Sequence, residues 1–139
     1  MSITLDAQSL QLIALFSAVT RVDPLDVFSF NGVLFFVVPQ GRGSRAIGRG
    51  GIHAKHLRAT LHTSIKILEL LPKEEFFRAL IAPLTPERVY TDPTDAMVLL
   101  VEASDRRTKA LLIGRNASHL RALEEIMRRR FSVREIKVV

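Results

Sequence analysis

The 139-residue sequence contains no cysteine, so it can form neither disulfide bonds nor thiolate metal sites. Long apolar segments are also missing, because the run from Leu10 to Val19 is too short to span a bilayer and follows an acid rather than a basic leader. Gly/Ser-rich and low-complexity tracts are absent, and Leu71-Pro72 is the only break between two halves. We therefore expect a soluble, cytoplasmic protein in which two small, rigidly joined modules each bury a modest core.

Acidic residues are missing between Asp26 and Glu69. The same stretch contains six basic residues: Arg42, Arg45, Arg49, Lys55, Arg58 and Lys66. The chain as a whole has 20 basic and 14 acidic residues, which give a formal net charge of +6. Such an excess of basic residues is the electrostatic footprint of a phosphate-binding surface. The distribution predicts positive potential around this segment and favours nucleic acid as the partner.

A short basic segment with glycine occurs twice, 66 residues apart. Its two copies are Ile47-Gly48-Arg49-Gly50-Gly51 and Ile113-Gly114-Arg115-Asn116-Ala117. In both copies a histidine and then a basic residue follow: His53 and Lys55 in the first copy, and His119 and Arg121 in the second. Glycine lets a ligand backbone approach closely, and amides at a helix start attract anions. We call Gly48–Gly51 the first loop and Gly114–Ala117 the second loop, and interpret both as phosphate-gripping turns.

Secondary-structure signals follow the order helix, strand, strand, helix, helix, strand, and then repeat that order. In the first half we predict helical segments from Asp6 to about Thr20 and over 45–47 and 52–61, and strands over 26–30, 33–38 and 64–70. Asn31-Gly32 is the strongest two-residue hairpin signal. In the second half we predict helices over 73–82, 105–113 and 117–130, and strands over 87–91, 96–103 and 133–139. The sequence therefore predicts an α+β protein built from two copies of one unit.

Two helices joined by a G-x-x-G turn, in this element order, resemble the type II K homology (KH) domain. More closely, Ile13-Ala14-Leu15-Phe16, Val37-Val38-Pro39 and the two glycine-bearing segments are similar to the archaeal NusA family of transcription factors. The resemblance covers nearly the whole chain. It implies two tandem type II KH domains, at 1–71 and 72–139, each an α-β-β-α-α-β unit with a three-stranded sheet.

The resemblance also implies the function and the site. KH domains clamp the backbone of about four nucleotides of single-stranded RNA with the G-x-x-G loop. The implied role is RNA binding during transcription elongation and termination, with RNA polymerase as a functional partner, and with no enzymatic activity, cofactor or metal. We expect RNA contacts from Gly48, Arg49, Gly50, Gly51, His53, Lys55, Gly114, Arg115, Asn116, Ala117 and Arg121. Because Ala117 stands where the family pattern has a glycine, we expect the second site to be weaker or partly structural.

Other interpretations of single motifs remain open. KH domains also bind ribosomal RNA, so a ribosome-associated assembly factor is an alternative function. Gly41-Arg42-Gly43-Ser44-Arg45-Ala46 matches the G-x-G-x-x-A pattern of dinucleotide-binding enzymes, with Glu69 as the ribose acid. The antiparallel hairpin before it and the restart of the pattern at Lys73 count against that enzyme. His53, His56 and His62 lack a cysteine or carboxylate that would complete a metal shell.

Overall fold

The computed structural model describes residues 7–139, which divide into two compact units. The first unit ends at Leu71 and the second begins at Pro72. The first unit contains α1 (Ala7–Thr20), β1 (Asp26–Phe30), β2 (Val33–Val38), α2 (Gly43–Ile47), α3 (Ile52–Leu61) and β3 (Ser64–Glu69). The second contains α4 (Lys73–Ile81), β4 (Arg88–Asp92), β5 (Asp95–Glu102), α5 (Arg106–Ile113), α6 (Ser118–Arg130) and β6 (Glu135–Val138). The protein is thus α+β, with helices attached to two three-stranded sheets.

The two sheets share one topology. In each sheet the second strand is central and pairs antiparallel with the first and parallel with the third. In the first sheet Phe36 lies opposite both Val27 and Ile67. The Asn31-Gly32 turn has φ values of +52° and +78°, as a type I′ hairpin requires. The hairpin predicted from this dipeptide is confirmed.

The hairpin of the second sheet is built differently. Its register shifts between Thr91 and Asp92, and the turn is held by the Asp92 carboxylate, which accepts hydrogen bonds from the backbone N–H and hydroxyl of Thr94 at 2.8 and 2.7 Å. Because the bulge shifts the pairing, β4 and β5 each begin and end one residue away from the predicted bounds. The strand lengths alone could not reveal this irregularity.

Each unit has its own hydrophobic core. In the first unit the rings of Phe16 and Phe36 stack with centroids 4.4 Å apart and anchor α1 against the sheet. In the second unit the largest fully buried side chains come from α4, the central strand, β6 and the two helices beside the second loop: Phe76, Phe77, Leu80, Leu99, Leu112, Leu123, Met127 and Ile136. The predicted start of α1 at Asp6 lies outside the described residues, and Leu10 in the first turns of the helix is 53% exposed.

Candidate nucleic-acid interface

The first loop reverses direction between α2 and α3 through left-handed backbone. Gly48, Gly50 and Gly51 have φ values of +82°, +63° and +74°. The turn is closed by hydrogen bonds from the Gly48 N–H to the Ser44 carbonyl at 2.9 Å and from the Gly51 N–H to the Gly48 carbonyl at 3.0 Å. Positive φ at all three of these positions is sterically easy only for glycine. The loop is therefore one tight step that leads directly into the N-terminus of a ten-residue helix.

The second loop follows the same path with fewer glycines. Gly114, Asn116 and Ala117 have φ values of +73°, +55° and +60°. Equivalent hydrogen bonds close it, from Gly114 N–H to the Ala110 carbonyl at 2.8 Å and from Ala117 N–H to the Gly114 carbonyl at 3.2 Å. A left-handed alanine costs about 1 kcal/mol or more relative to glycine. Asn116 does not cap α6, because its side chain makes no capping hydrogen bond there.

The first glycine of each loop also leaves room for a histidine ring that packs against it. A Cβ on Gly48 would lie 2.8 Å from Nδ1 of His53, and a Cβ on Gly114 would lie 2.8 Å from Cγ of His119. By contrast, a Cβ on Gly50 or Gly51 would meet no atom within 4 Å. The first position of each loop is therefore fixed by packing, whereas the later positions are constrained only by backbone conformation.

Both histidines make the same hydrogen bond. Nδ1 of His53 lies 3.2 Å from the Arg45 carbonyl, and Nδ1 of His119 lies 3.0 Å from the Leu111 carbonyl. Each acceptor is eight residues earlier, in the last turn of the preceding helix. Since a carbonyl can only accept, Nδ1 carries the proton in both rings. Each ring thus joins the two helices that flank its loop.

The start of α2 is held by a distant carboxylate. Oε1 of Glu69 accepts from the Gly41 N–H at 2.9 Å, and Oε2 accepts from the Gly43 N–H at 3.0 Å. A Cβ on Gly43 would lie 2.3 Å from that Oε2, so only glycine fits. In a dinucleotide-binding turn these amides would face the ligand's phosphates. Here they bind the chain's own carboxylate, so the Gly41–Gly43 segment is not available for a diphosphate.

The start of α5 is capped locally instead. The Asp105 carboxylate accepts from the Thr108 backbone N–H at 2.7 Å, which is an ordinary N-cap. That hydrogen bond holds the pKa of Asp105 below its usual value. Val38 pairs with Glu69 and Val101 pairs with Val138 at the ends of the two parallel ladders, so valine occupies in β6 the place of Glu69 in β3.

The cations around the first loop are exposed. Arg42, Arg45, Arg49, Lys55 and Arg58 are all solvent-exposed, and Lys55 has no ion-pair partner among residues 7–139. Lys66 differs, because it is half-buried with Nζ 5.9 Å from the centroid of the Phe35 ring. Burial lowers the pKa of this amine. The exposed positive surface around the first loop therefore consists of the four arginines and Lys55, whereas Lys66 is half-buried.

The second loop has acids beside its helix. Arg121, the counterpart of Lys55, forms an ion pair at 2.9 Å with Glu124, although its own side chain is 70% exposed. Glu124 is buried, and its other oxygen accepts from the Ile136 N–H at 3.0 Å. Arg128 pairs with Glu125 at a spacing of three. The Arg121–Glu124 and Arg128–Glu125 pairs are both spaced by three residues.

Apolar side chains flank the first loop on both sides. Ile47 is 40% exposed and Ile52 is 60% exposed, whereas Ile65 and Ile67 pack against the core of the first unit. At the position of Ile52 the second unit has Ser118. Exposed isoleucines beside a cationic turn can contact the faces of nucleotide bases. The two loops therefore offer different surfaces on the same backbone.

Within residues 7–139 no group of three or more histidine, cysteine, aspartate or glutamate side chains is arranged to hold a metal ion. None of the helices in that range combines the length and apolarity needed to cross a bilayer.

Comparison with known proteins identifies archaeal relatives over the full length of the chain. No protein-family model matches it. It is 29% identical over 139 residues to the "Probable transcription termination protein NusA" of Halobacterium salinarum, with 99% of each chain covered. The protein of the same name from Methanococcus vannielii is 26% identical, with 100% of this chain and 81% of that protein covered. The chain is similar over nearly its whole length to these archaeal NusA proteins.

A further relative and a solved structure agree. The Halococcus morrhuae protein, also named "Probable transcription termination protein NusA", is 27% identical, with 99% of each chain covered. The crystal structure of APE1850 is 24% identical and superposes with a TM-score of 0.68, covering 99% of this chain and 100% of that one. This similarity shows a common fold. The α+β class with two three-stranded sheets, expected from the sequence, is confirmed.

Sequence reasoning missed two side chains that shape the interface. Glu69 was considered only as a ribose-binding acid, whereas its carboxylate accepts hydrogen bonds from the Gly41 and Gly43 amides. Glu124 was not among the predicted site residues, yet it is buried and pairs with Arg121. Its position on the inner face of α6 was not visible, because charged residues are rarely buried unless they are paired.

Proposed function

We propose that this NusA-like chain is a single-stranded RNA-binding transcription termination factor, with type II KH domains at 1–71 and 72–139 that grip the RNA backbone. The names of the archaeal relatives support a role in termination. The observed order of helices and strands in each unit is the one that the KH resemblance implies. RNA polymerase would be a functional partner in a cytoplasmic, non-enzymatic role.

One observation carries the proposal: both loops adopt the same left-handed path although their central residues differ. Gly50 and Gly51 reach that path freely and Asn116 tolerates it, whereas Ala117 reaches it against its intrinsic preference. A conformation that persists against backbone preference is a reason to suspect a function for it. A compact turn that begins a helix exposes amides suited to phosphate oxygens.

The roles of the individual residues follow from their positions. Arg49 and Arg115, both exposed within the loops, would donate charge-assisted hydrogen bonds to phosphates, and the small residues beside them would let the RNA backbone approach. Lys55 and Arg121 would contact the neighbouring phosphates. Because Arg121 is paired with Glu124 and Lys55 is not, the first site should be stronger.

Gly51→Asp tests the first loop directly. A Cβ at this position meets no atom within 4 Å, and aspartate tolerates left-handed backbone better than most residues. A carboxylate about 4 Å from a phosphate costs between ~1 and ~4 kcal/mol, so affinity for single-stranded RNA should fall at least about fivefold. The matched control is Gly51→Ala, which installs the residue that the second loop already has and should retain most of the binding.

The measurement is fluorescence anisotropy of labelled single-stranded RNA over a salt series, with duplex RNA and a nicotinamide dinucleotide for comparison. We expect single-strand binding that weakens with salt, with a slope that counts phosphate contacts. Ala117→Asp should cost less than Gly51→Asp. Unchanged affinity in Gly51→Asp would refute the loop assignment, and dinucleotide binding without RNA binding would refute the function.

A further inference from the structure

We propose that His53 and His119 are positioning residues, which hold the path of the two loops by joining the flanking helices and act on RNA only through the loop. The effect on RNA rests on the proposed function, whereas the effect on the loop does not. The sequence placed His53 among the RNA contacts. The geometry points to a different role for the same residue.

The first argument is the pair of contacts that each ring makes. Nδ1 of His53 donates to the Arg45 carbonyl in the last turn of α2, while the ring covers Gly48 so closely that a Cβ there would lie 2.8 Å from Nδ1. The histidine itself belongs to the first turn of α3. One side chain therefore contacts the helix before the loop, the loop and the helix after it.

The second argument is the recurrence of this arrangement in the second unit. Across the ten aligned positions that start at Ala46 and Leu112, only four residues are identical, and these are the isoleucine, glycine and arginine at the loop and the histidine. The glycine and the histidine are the two that touch each other. The other loop positions changed to asparagine and alanine without changing the path. The shared pair, and not the glycine content, accompanies the shared conformation.

The third argument is chemical. A ring whose Nδ1 donates to a backbone carbonyl keeps that proton in both its neutral and its charged form. The hydrogen bond from Nδ1 to the carbonyl therefore persists when the ring is protonated.

The experiment compares His53→Ala, His53→Asn and the control His56→Ala by amide hydrogen exchange of the free protein. His56 lies on the same helix, is exposed and makes no contact with the loop. In His53→Ala the Gly48 and Gly51 amides should exchange roughly fivefold faster, the equivalent of one lost hydrogen bond. Asparagine places an amide nitrogen near the position of Nδ1, so it should restore much of the protection. His119→Ala should act in the same way on Gly114 and Ala117.

RNA binding separates positioning from direct contact. With a positioning role, His53→Ala lowers RNA affinity without changing the salt slope, His53→Asn restores it and His56→Ala leaves it unchanged. Unaltered exchange in His53→Ala, together with a shallower salt slope, would mean a direct phosphate contact and would overturn the proposal. If the wild-type protein binds no RNA, the proposed function fails. The exchange rates still test whether the histidines hold the path of the loops. If His53→Ala does not fold, His119→Ala tests the same role through the exchange of the Gly114 and Ala117 amides.

Discussion

The two units carry equal net charge but distribute it differently. Positions 1–71 contain seven basic and four acidic residues and positions 72–139 contain thirteen and ten, so each half has a formal charge of +3. In the first unit no acid lies between Asp26 and Glu69, and Glu69 is turned toward backbone amides. In the second unit Glu124 and Glu125 lie on the helix that follows the loop. Local arrangement, and not the net charge, therefore distinguishes the two candidate RNA sites.

The loops show the opposite relationship, because different residues give the same backbone. Gly50 and Gly51 are replaced by Asn116 and Ala117 with φ changes of less than 20°. What the loops share is the contact between the first glycine and the histidine. The comparison indicates that this contact sets the path, while the middle of the loop tunes strain and the closeness of a ligand.

The largest expected effect is the loss of stability on replacing the first glycine. Gly48→Ala and Gly114→Ala each combine a left-handed alanine with a clash against a histidine ring, so each should lower the free energy of unfolding by about 3 kcal/mol. Denaturant unfolding measures this. Gly51→Ala is the control, because it adds the backbone penalty of about 1 kcal/mol without a clash. A Gly114→Ala protein as stable as the wild type would mean that the two loops are not equivalent.

Local chemistry made much of the fold predictable. The Asn31-Gly32 dipeptide predicted its hairpin, and the strands on both sides begin and end where expected. The first-unit helix after the loop also has its predicted bounds, Ile52–Leu61, because a glycine precedes it and a left-handed residue, His62, ends it. These features depend on neighbours in sequence, so the sequence contains their causes.

Features that depend on distant partners were not predictable. The predicted helix over 45–47 in fact begins at Gly43, because the Gly43 N–H donates to the carboxylate of Glu69, which lies 26 residues later. Likewise Glu124 is buried because it accepts from Ile136, twelve residues later. No local pattern marks these pairings. The repeat located both loops, whereas the side chains that support them became visible only in three dimensions.

The charge difference between the units can be reduced by Glu124→Gln. Glu124 is the seventh residue of α6, where α3 has Arg58. Glutamine can still accept from the Ile136 N–H, so the second unit should lose only about 1 kcal/mol, while Arg121 is released toward a phosphate. RNA affinity should rise in a protein whose first loop carries Gly51→Asp, which isolates the second site. Glu125→Gln removes the same charge at the surface and should change stability less. Lower RNA affinity in Glu124→Gln would mean that Arg121 needs its partner.

The smallest effect concerns the two ways of starting the helix before the loop. Donation from the Thr108 N–H holds the pKa of Asp105 below its usual value, so folding favours the ionised carboxylate. This stabilisation is fully present above the unfolded pKa, near 4, and is lost as the pH falls through the lower folded pKa. Asparagine also caps helices but does not titrate. The melting temperature should therefore fall less steeply between pH 7 and pH 3 for Asp105→Asn than for the wild type. Parallel curves would mean that the cap contributes equally in both ionisation states, and the second unit would then start its helix without electrostatic help.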